Sequence, residues 1–176
     1  MASKKRARSA ARARQLTHLD GRGQAQMVDV ADKPVTAREA VAGVEVHMQP
    51  ATLRLLQSGA AAKGDVLAVA RVAGIQAAKR TPELIPLCHS IALSKCEVRF
   101  DAKPRLGVLS IQTRVRALDR TGAEMEALTA AAVAALTVYD MLKAVDRSMV
   151  IRELAVLEKR GGRSGDYVRP GRDPRR

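Results

Sequence analysis

Twice between residues 92 and 117 the side chains alternate with a period of two. Residues 92–100 (ALSKCEVRF) put Ser94, Cys96, Val98 and Phe100 on one side and Lys95, Glu97 and Arg99 on the other. Residues 107–117 (GVLSIQTRVRA) repeat the pattern, with Leu109, Ile111, Thr113 and Val115 opposite Ser110, Gln112, Arg114 and Arg116. Successive side chains of an extended chain point to opposite faces, so each stretch predicts a strand with one buried face and one wet face. Lys103-Pro104-Arg105 between them predicts a hairpin connection. The chain is therefore committed to an antiparallel sheet whose apolar face must be covered by something else.

The covering elements are legible as helices. Residues 123–145 (AEMEALTAAAVAALTVYDMLKAV) are dominated by Ala, Leu, Met and Glu, and Thr121-Gly122 before them can cap the start. Residues 65–80 place Val66, Val69, Ala70, Ala73 and Ala77 at helical spacing. Gly74 costs about 1 kcal/mol in such a helix, which suggests close packing against a neighbour. Pro50 opens a short helix, Thr52 to Gln57, that Ser58-Gly59 ends. Pro82 and Pro86 break residues 81–90 into an ordered, non-regular turn. A looser alternation over 38–48 (Val41, Val44, Val46, Met48) and another from Met149 to Lys159 predict strands at either end of this series. The resulting βαββαβ-like order predicts an α+β fold of ferredoxin-like type, an antiparallel sheet with helices on one face.

The 176 residues suit one domain, and their formal charge of +13 is concentrated at the ends. Residues 1–15 carry six basic side chains and no acid, and residues 159–176 carry seven basic and two acidic ones. The intervening stretch is nearly neutral, with 18 basic and 16 acidic residues. Neither end shows apolar periodicity, so each is expected to lack the buried area that offsets ordering entropy. The expected organisation is a disordered basic arm over 1–15, a single catalytic α+β domain over 16–158 and a flexible basic tail over 159–176. Clustered cations also suit phosphate backbones, so a basic-tailed nucleic-acid-binding protein is the competing function. Three aromatic residues in the whole chain argue against a base-stacking platform. Two cysteines, Cys88 and Cys96, read as reduced thiols of a cytoplasmic protein rather than a disulfide framework. No apolar run approaches the roughly 18 residues that a membrane span needs, and the basic N-terminus lacks the apolar stretch of a secretory signal.

Three places hold polar groups suited to chemistry. On the long helix Glu126 and Asp140 are fourteen residues apart, which brings them within about 40° around the axis, and Lys143 follows Asp140 at i,i+3. A lysine beside a carboxylate is how acid/base pairs are tuned, although an ordinary surface ion pair has the same spacing. Leu87-Cys88-His89 follows Pro86, and an imidazole on a rigid turn can exchange protons near neutrality. A Cys88–His89 dyad is disfavoured, because neighbours on an extended turn point apart. The third place is cationic: Lys63-Gly64, Arg71 and Lys79-Arg80, with Lys63 just before a helix start. The cysteines and the three histidines show no paired spacing of the zinc type, so no metal site is expected.

Four long segments then carry a resemblance: LTHLDGRGQAQMVDV (16–30), KGDVLAVARVAGIQAAKRTPELIPLCHS (63–90), GAEMEALTAAAVAALTVYDMLKAVD (122–146) and GGRSGDY (161–167). Together they resemble cyclic pyranopterin monophosphate synthase, the molybdenum cofactor biosynthesis protein C family. The resemblance implies a lyase that converts 3′,8-cyclo-7,8-dihydroguanosine 5′-triphosphate to cyclic pyranopterin monophosphate and diphosphate. It also implies a ferredoxin-like fold and a hexamer, a trimer of dimers, with sites at subunit interfaces. No redox cofactor is required, and a divalent cation such as magnesium can accompany the triphosphate. Carried over by motif, Asp140 and Lys143 form the leading catalytic pair, with His89, Lys63 and Glu126 as further catalytic groups. Lys79 and Arg80 are expected at the triphosphate, and Leu87, Cys88, Glu124 and Met125 along the substrate pocket. The stretch around Asp29 and Lys33 is expected to close on substrate. Ser90 stands where proline is expected, and Leu142 where cysteine is frequent; neither change removes a charge. An inactive scaffold is the third hypothesis, and it has no physical use for so many clustered charges.

Overall fold

The computed structural model describes residues 22–59, 61–163 and 165–170. The expected basic arm over 1–15 lies outside the described residues. Nine elements follow one another: β1 (Thr36–His47), α1 (Pro50–Ser58), α2 (Val66–Lys79), α3 (Thr81–Leu84), β2 (Leu93–Lys103), β3 (Val108–Asp119), α4 (Glu124–Leu142), β4 (Val150–Arg160) and β5 (Tyr167–Val168). The sheet order is β2-β3-β1-β4-β5, and every neighbouring pair is antiparallel. The first four strands have the ferredoxin-like arrangement, so the expected α+β class holds.

The core lies between one sheet face and the helices. Ala40, Ala42, Val44 and Val46 of β1 alternate inward, as do Leu109, Ile111 and Val115 of β3. Val41, expected among the inward set, instead lies on the opposite face and is still fully buried, opposite Arg114 and Glu158 in register. On β2 the inward set is Cys96, Val98, Phe100 and Ala102, but Ser94 is exposed. The pairing register shifts between Leu93 and Lys95, and that irregularity turns Ser94 out of phase.

Helix α4 is the central covering element. Ala127, Ala130, Ala131, Ala134 and Ala135 have no exposed surface. Small side chains let α4 lie close to both the sheet and α2, and Gly74 is the point of nearest approach. A Cβ added there would sit 2.9 Å from the Ala130 carbonyl oxygen and 3.2 Å from Val98 Cγ2. By length and composition α4 could cross a membrane, yet it carries Glu126 and packs as a core helix.

Two local expectations are corrected. The turn over 81–90 begins with one helical turn, α3, because Pro82 suits a first-turn position. Thr121-Gly122 does not cap α4: Ala123 occupies that position, with no side-chain hydrogen bond. Beyond 158, β4 runs to Arg160 and β5 adds main-chain pairing at Glu158–Val168 and Lys159–Tyr167. Apolar periodicity is blind to a two-residue edge strand.

Candidate active site

Helix α2 runs antiparallel to α4, so its start lies beside the end of α4 and its end beside the start. Candidate residues therefore collect at the two ends of the helix pair.

At the C-terminal end of α4, Asp140 meets two ammonium groups. Lys143 Nζ lies 2.6 Å from Asp140 Oδ1. Lys63, on the turn before α2, donates to Asp140 Oδ2 at 3.3 Å and to the Asp140 carbonyl at 3.0 Å. The hydrogen bond from Lys143, and then that from Lys63, holds the Asp140 carboxyl below its ordinary value. The same contact holds the Lys143 ammonium above its own. All three side chains are about half exposed, so this is an open cluster of one carboxylate and two lysines.

At the N-terminal end the environment is the reverse. Glu126 is 1% exposed, and one carboxylate oxygen, Oε2, has no hydrogen-bond partner among the described residues. Burial raises its carboxyl above the ordinary value, against the opposing effect of its hydrogen bonds. Cys88 Sγ approaches the other oxygen at 3.6 Å. Burial, and then the charge of Glu126, push the Cys88 thiol up to about 11. Cys88 is thus a protonated hydrogen-bond donor, which agrees with the weak case for a nucleophilic dyad.

His89 Nε2 lies 2.7 Å from the Val28 carbonyl oxygen. A carbonyl only accepts, so Nε2 carries the hydrogen. Glu126 also faces a cleft of about 300 Å³ whose walls include Lys79, Ser90 and Ile91.

A second cleft, of about 390 Å³, lies on the other side of the first turn of α4. Glu124 lines it and pairs with Lys159 Nζ at 2.9 Å. The remaining walls bring Lys33, Arg38, Arg120, Arg160 and Arg163 together with one further carboxylate, Glu39. Arg38 is nearly buried, and its guanidinium donates to the carbonyls of Asp119 at 3.2 Å and Arg120 at 3.1 Å. Gly162, at a φ of 87°, lies against this group: a Cβ there would sit 1.5 Å from the Arg38 guanidinium and displace it. Arg120 in turn donates to the carbonyls of Ala31 and, at 2.9 Å, Lys33, which ties the segment before β1 to the cleft.

The expected residues thus form two groups. Lys63, Asp140 and Lys143 are together. Cys88 touches Glu126, Lys79 shares a cleft with Glu126, and Glu124 opens onto the basic cleft. Leu87 and Met125 are half-buried, and neither lines these two clefts; Arg80 caps α2, exposed and outside both. Glu126 and Asp140 are about 21 Å apart along the helix at 1.5 Å per residue. The basic cleft itself escaped sequence reasoning. Its signal was the glycine pair set among cations in KRGGR (159–163), which on its own reads as a solvated tail. Among the described residues no three His, Cys, Asp or Glu side chains converge as metal ligands.

The MoaC family profile matches residues 27–162. The chain is 61% identical over 156 residues to a cyclic pyranopterin monophosphate synthase of Chloroflexus aurantiacus, an alignment that covers 89% of this chain and 96% of the relative. It is 63% identical over 155 residues to the enzyme of that name from Thermomicrobium roseum (88% and 93% covered) and 56% identical to that of a Nostoc species (88% and 92%).

Proposed function

This chain belongs to the MoaC family, and on that premise we propose how its residues divide the work. Its activity is that of a cyclic pyranopterin monophosphate synthase, a lyase of molybdenum cofactor biosynthesis. In our reading the substrate is 3′,8-cyclo-7,8-dihydroguanosine 5′-triphosphate and the products are cyclic pyranopterin monophosphate and diphosphate.

The observation that carries this reading is the pairing of opposite electrostatic environments. One end of the helix pair offers a carboxyl held below its ordinary value between two lysines. The other offers a buried carboxyl whose proton is retained more strongly, beside the Cys88 thiol. Groups whose environments push their proton affinities apart are what a sequence of ring opening and ring closure needs, because some steps take a proton and others return it. Asp140, Lys143 and Lys63 act on the reacting ring from one side. Glu126 and His89 act from the other, with Cys88 donating to Glu126 and Lys79 at the cleft wall. Closing the cyclic phosphate expels diphosphate, so negative charge grows on the leaving group. In this reading Lys33, Arg38, Arg120 and Lys159 hold the triphosphate and stabilise that charge. Arg80, Leu87 and Met125 complete the substrate contacts in this assignment.

The two ends of one α4 are too far apart to touch one ring system. We therefore place the working site between subunits, where the Asp140 end of one copy faces the Glu126 end of another. A hexamer built as a trimer of dimers supplies such junctions. No resident cofactor is needed for a rearrangement without net redox change, and magnesium would enter with the triphosphate. The location we assign is the cytoplasm.

The test is direct. Purified protein given the cyclised nucleotide should release diphosphate and pyranopterin, and Lys143→Ala should abolish turnover. No turnover by the wild-type chain, or full turnover by Lys143→Ala, defeats the assignment. Mixing Asp140→Asn with Glu126→Gln subunits should restore part of the activity if the site is shared between copies.

A further inference from the structure

Asp146 belongs to neither cluster, is 2% exposed, and is saturated with donors. Its Oδ1 accepts from Ser148 N at 2.9 Å and Ser148 Oγ at 2.6 Å. Its Oδ2 accepts from Gln49 N at 2.9 Å and Thr52 Oγ1 at 3.1 Å. Burial disfavours the carboxylate, but these donors outweigh it and hold the carboxyl below its ordinary value. Two of these four bonds hold the local turn to Ser148, and the other two cross to Gln49 and Thr52.

Two chain segments meet at this carboxylate. The first is the exit of α4. Val145 N and Asp146 N both donate to the Leu142 carbonyl, at 2.9 and 3.1 Å, so Lys143 to Asp146 wind one turn around a fixed point. Lys143 is the start of that turn. The second segment is α1. Gln49 is its N-cap and provides no side-chain cap of its own; Asp146 supplies the acceptor and the negative charge instead. Helix α1 ends at Ser58, and five residues later the chain delivers Lys63. The two ammoniums on Asp140 therefore arrive on separate segments that are joined to each other at Asp146.

We infer that Asp146 is a positioning residue, which sets Lys143 and Lys63 against Asp140 by clamping the exit of α4 to the start of α1. It touches no substrate in this assignment. The inference rests on reading Asp140, Lys143 and Lys63 as catalytic, and it extends that reading to the support behind them.

Asp146→Asn in the full chain is the test. An amide has one acceptor oxygen, so either the Ser148 pair or the Gln49–Thr52 pair loses its partner. A misplacement of about 1 Å costs on the order of a hundredfold, so kcat should fall about ten- to a hundredfold. KM should change by less than about threefold, since the triphosphate is held at the other end of α4. Thr52→Val removes a single donor and should give a smaller fall of the same kind; it is the variant to use if Asp146→Asn does not fold. In parallel, with lysine side chains labelled with ¹³C, the Lys143 ammonium should titrate closer to its ordinary value than in the wild type. A folded Asp146→Asn protein with wild-type kcat and unchanged lysine titration, showing only a lower Tm, overturns the inference. The lysine titration needs no turnover, so it still decides the positioning role if the wild-type chain proves inactive on the proposed substrate.

Discussion

Glu126→Gln should make the protein more stable and the enzyme worse. The side chain is buried, its Oε2 lacks a partner, and burial raises its carboxyl above the ordinary value of 4.5. For an acid whose folded value is raised, the folded state holds its proton longer than the unfolded chain does. Its contribution to stability is complete below the unfolded value and is lost as pH rises through the folded one. Glutamine has nearly the same shape and no proton to lose. The stability difference between variant and wild type should thus be small at pH 4. Above about 4.5 it should grow in favour of the variant, at up to about 1.4 kcal/mol per pH unit, and level off once the folded carboxyl has ionised. For a chain of this size, about 1.4 kcal/mol corresponds to roughly 3–6 °C in Tm. Turnover should fall by about 10²–10⁴-fold, the usual contribution of a general acid or base. Thermal melts of both proteins from pH 4 to 8, with turnover measured beside them, read out both effects. A Tm difference that does not change with pH would show that Glu126 carries no perturbed proton. A variant with wild-type kcat would show that the proton is not used.

Other consequences are equally measurable. With its thiol at about 11, Cys88 should be alkylated by iodoacetamide at pH 8 about a hundredfold more slowly than an ordinary thiol. Glu126→Gln should speed that reaction, and peptide mass spectrometry of the alkylated protein follows it. Lys143→Ala should let the Asp140 carboxyl move up toward its ordinary 3.8 while Lys63 still restrains it. A ¹³C titration of the carboxyl checks this, and no movement would mean that Lys143 is not its main partner. Gly74→Ala gains about 1 kcal/mol in helix propensity but crowds the Ala130 carbonyl, and overpacking costs about 1–3 kcal/mol, so the net loss should be near 1 kcal/mol. Denaturant unfolding measures it, and a stabilised variant would mean that α2 and α4 are not held at this distance.

The sequence by itself determined the architecture, because strands and helices impose periods of 2 and 3.6 on any chain that must bury one face. The alternation over β2 and β3, the alanine-rich α4 and the glycine in α2 were all readable on those terms. The long motifs carried the family, and with it the list of charged residues. Tertiary structure decided what those charges do. Glu126 and Asp140 have nearly the same angular position on one helix, yet one is buried beside a thiol and the other is open between two lysines. That contrast depends on what packs around each end of α4, and no spacing rule contains it. The basic cleft is similar: Arg38, Arg120 and Lys159 come from three strand ends that only the sheet order brings together. Asp146 shows the same limit, since two of its partners, Thr52 and Gln49, lie 94 and 97 residues away. Local sequence sets local geometry, whereas a carboxylate's proton affinity is set by neighbours that folding alone supplies.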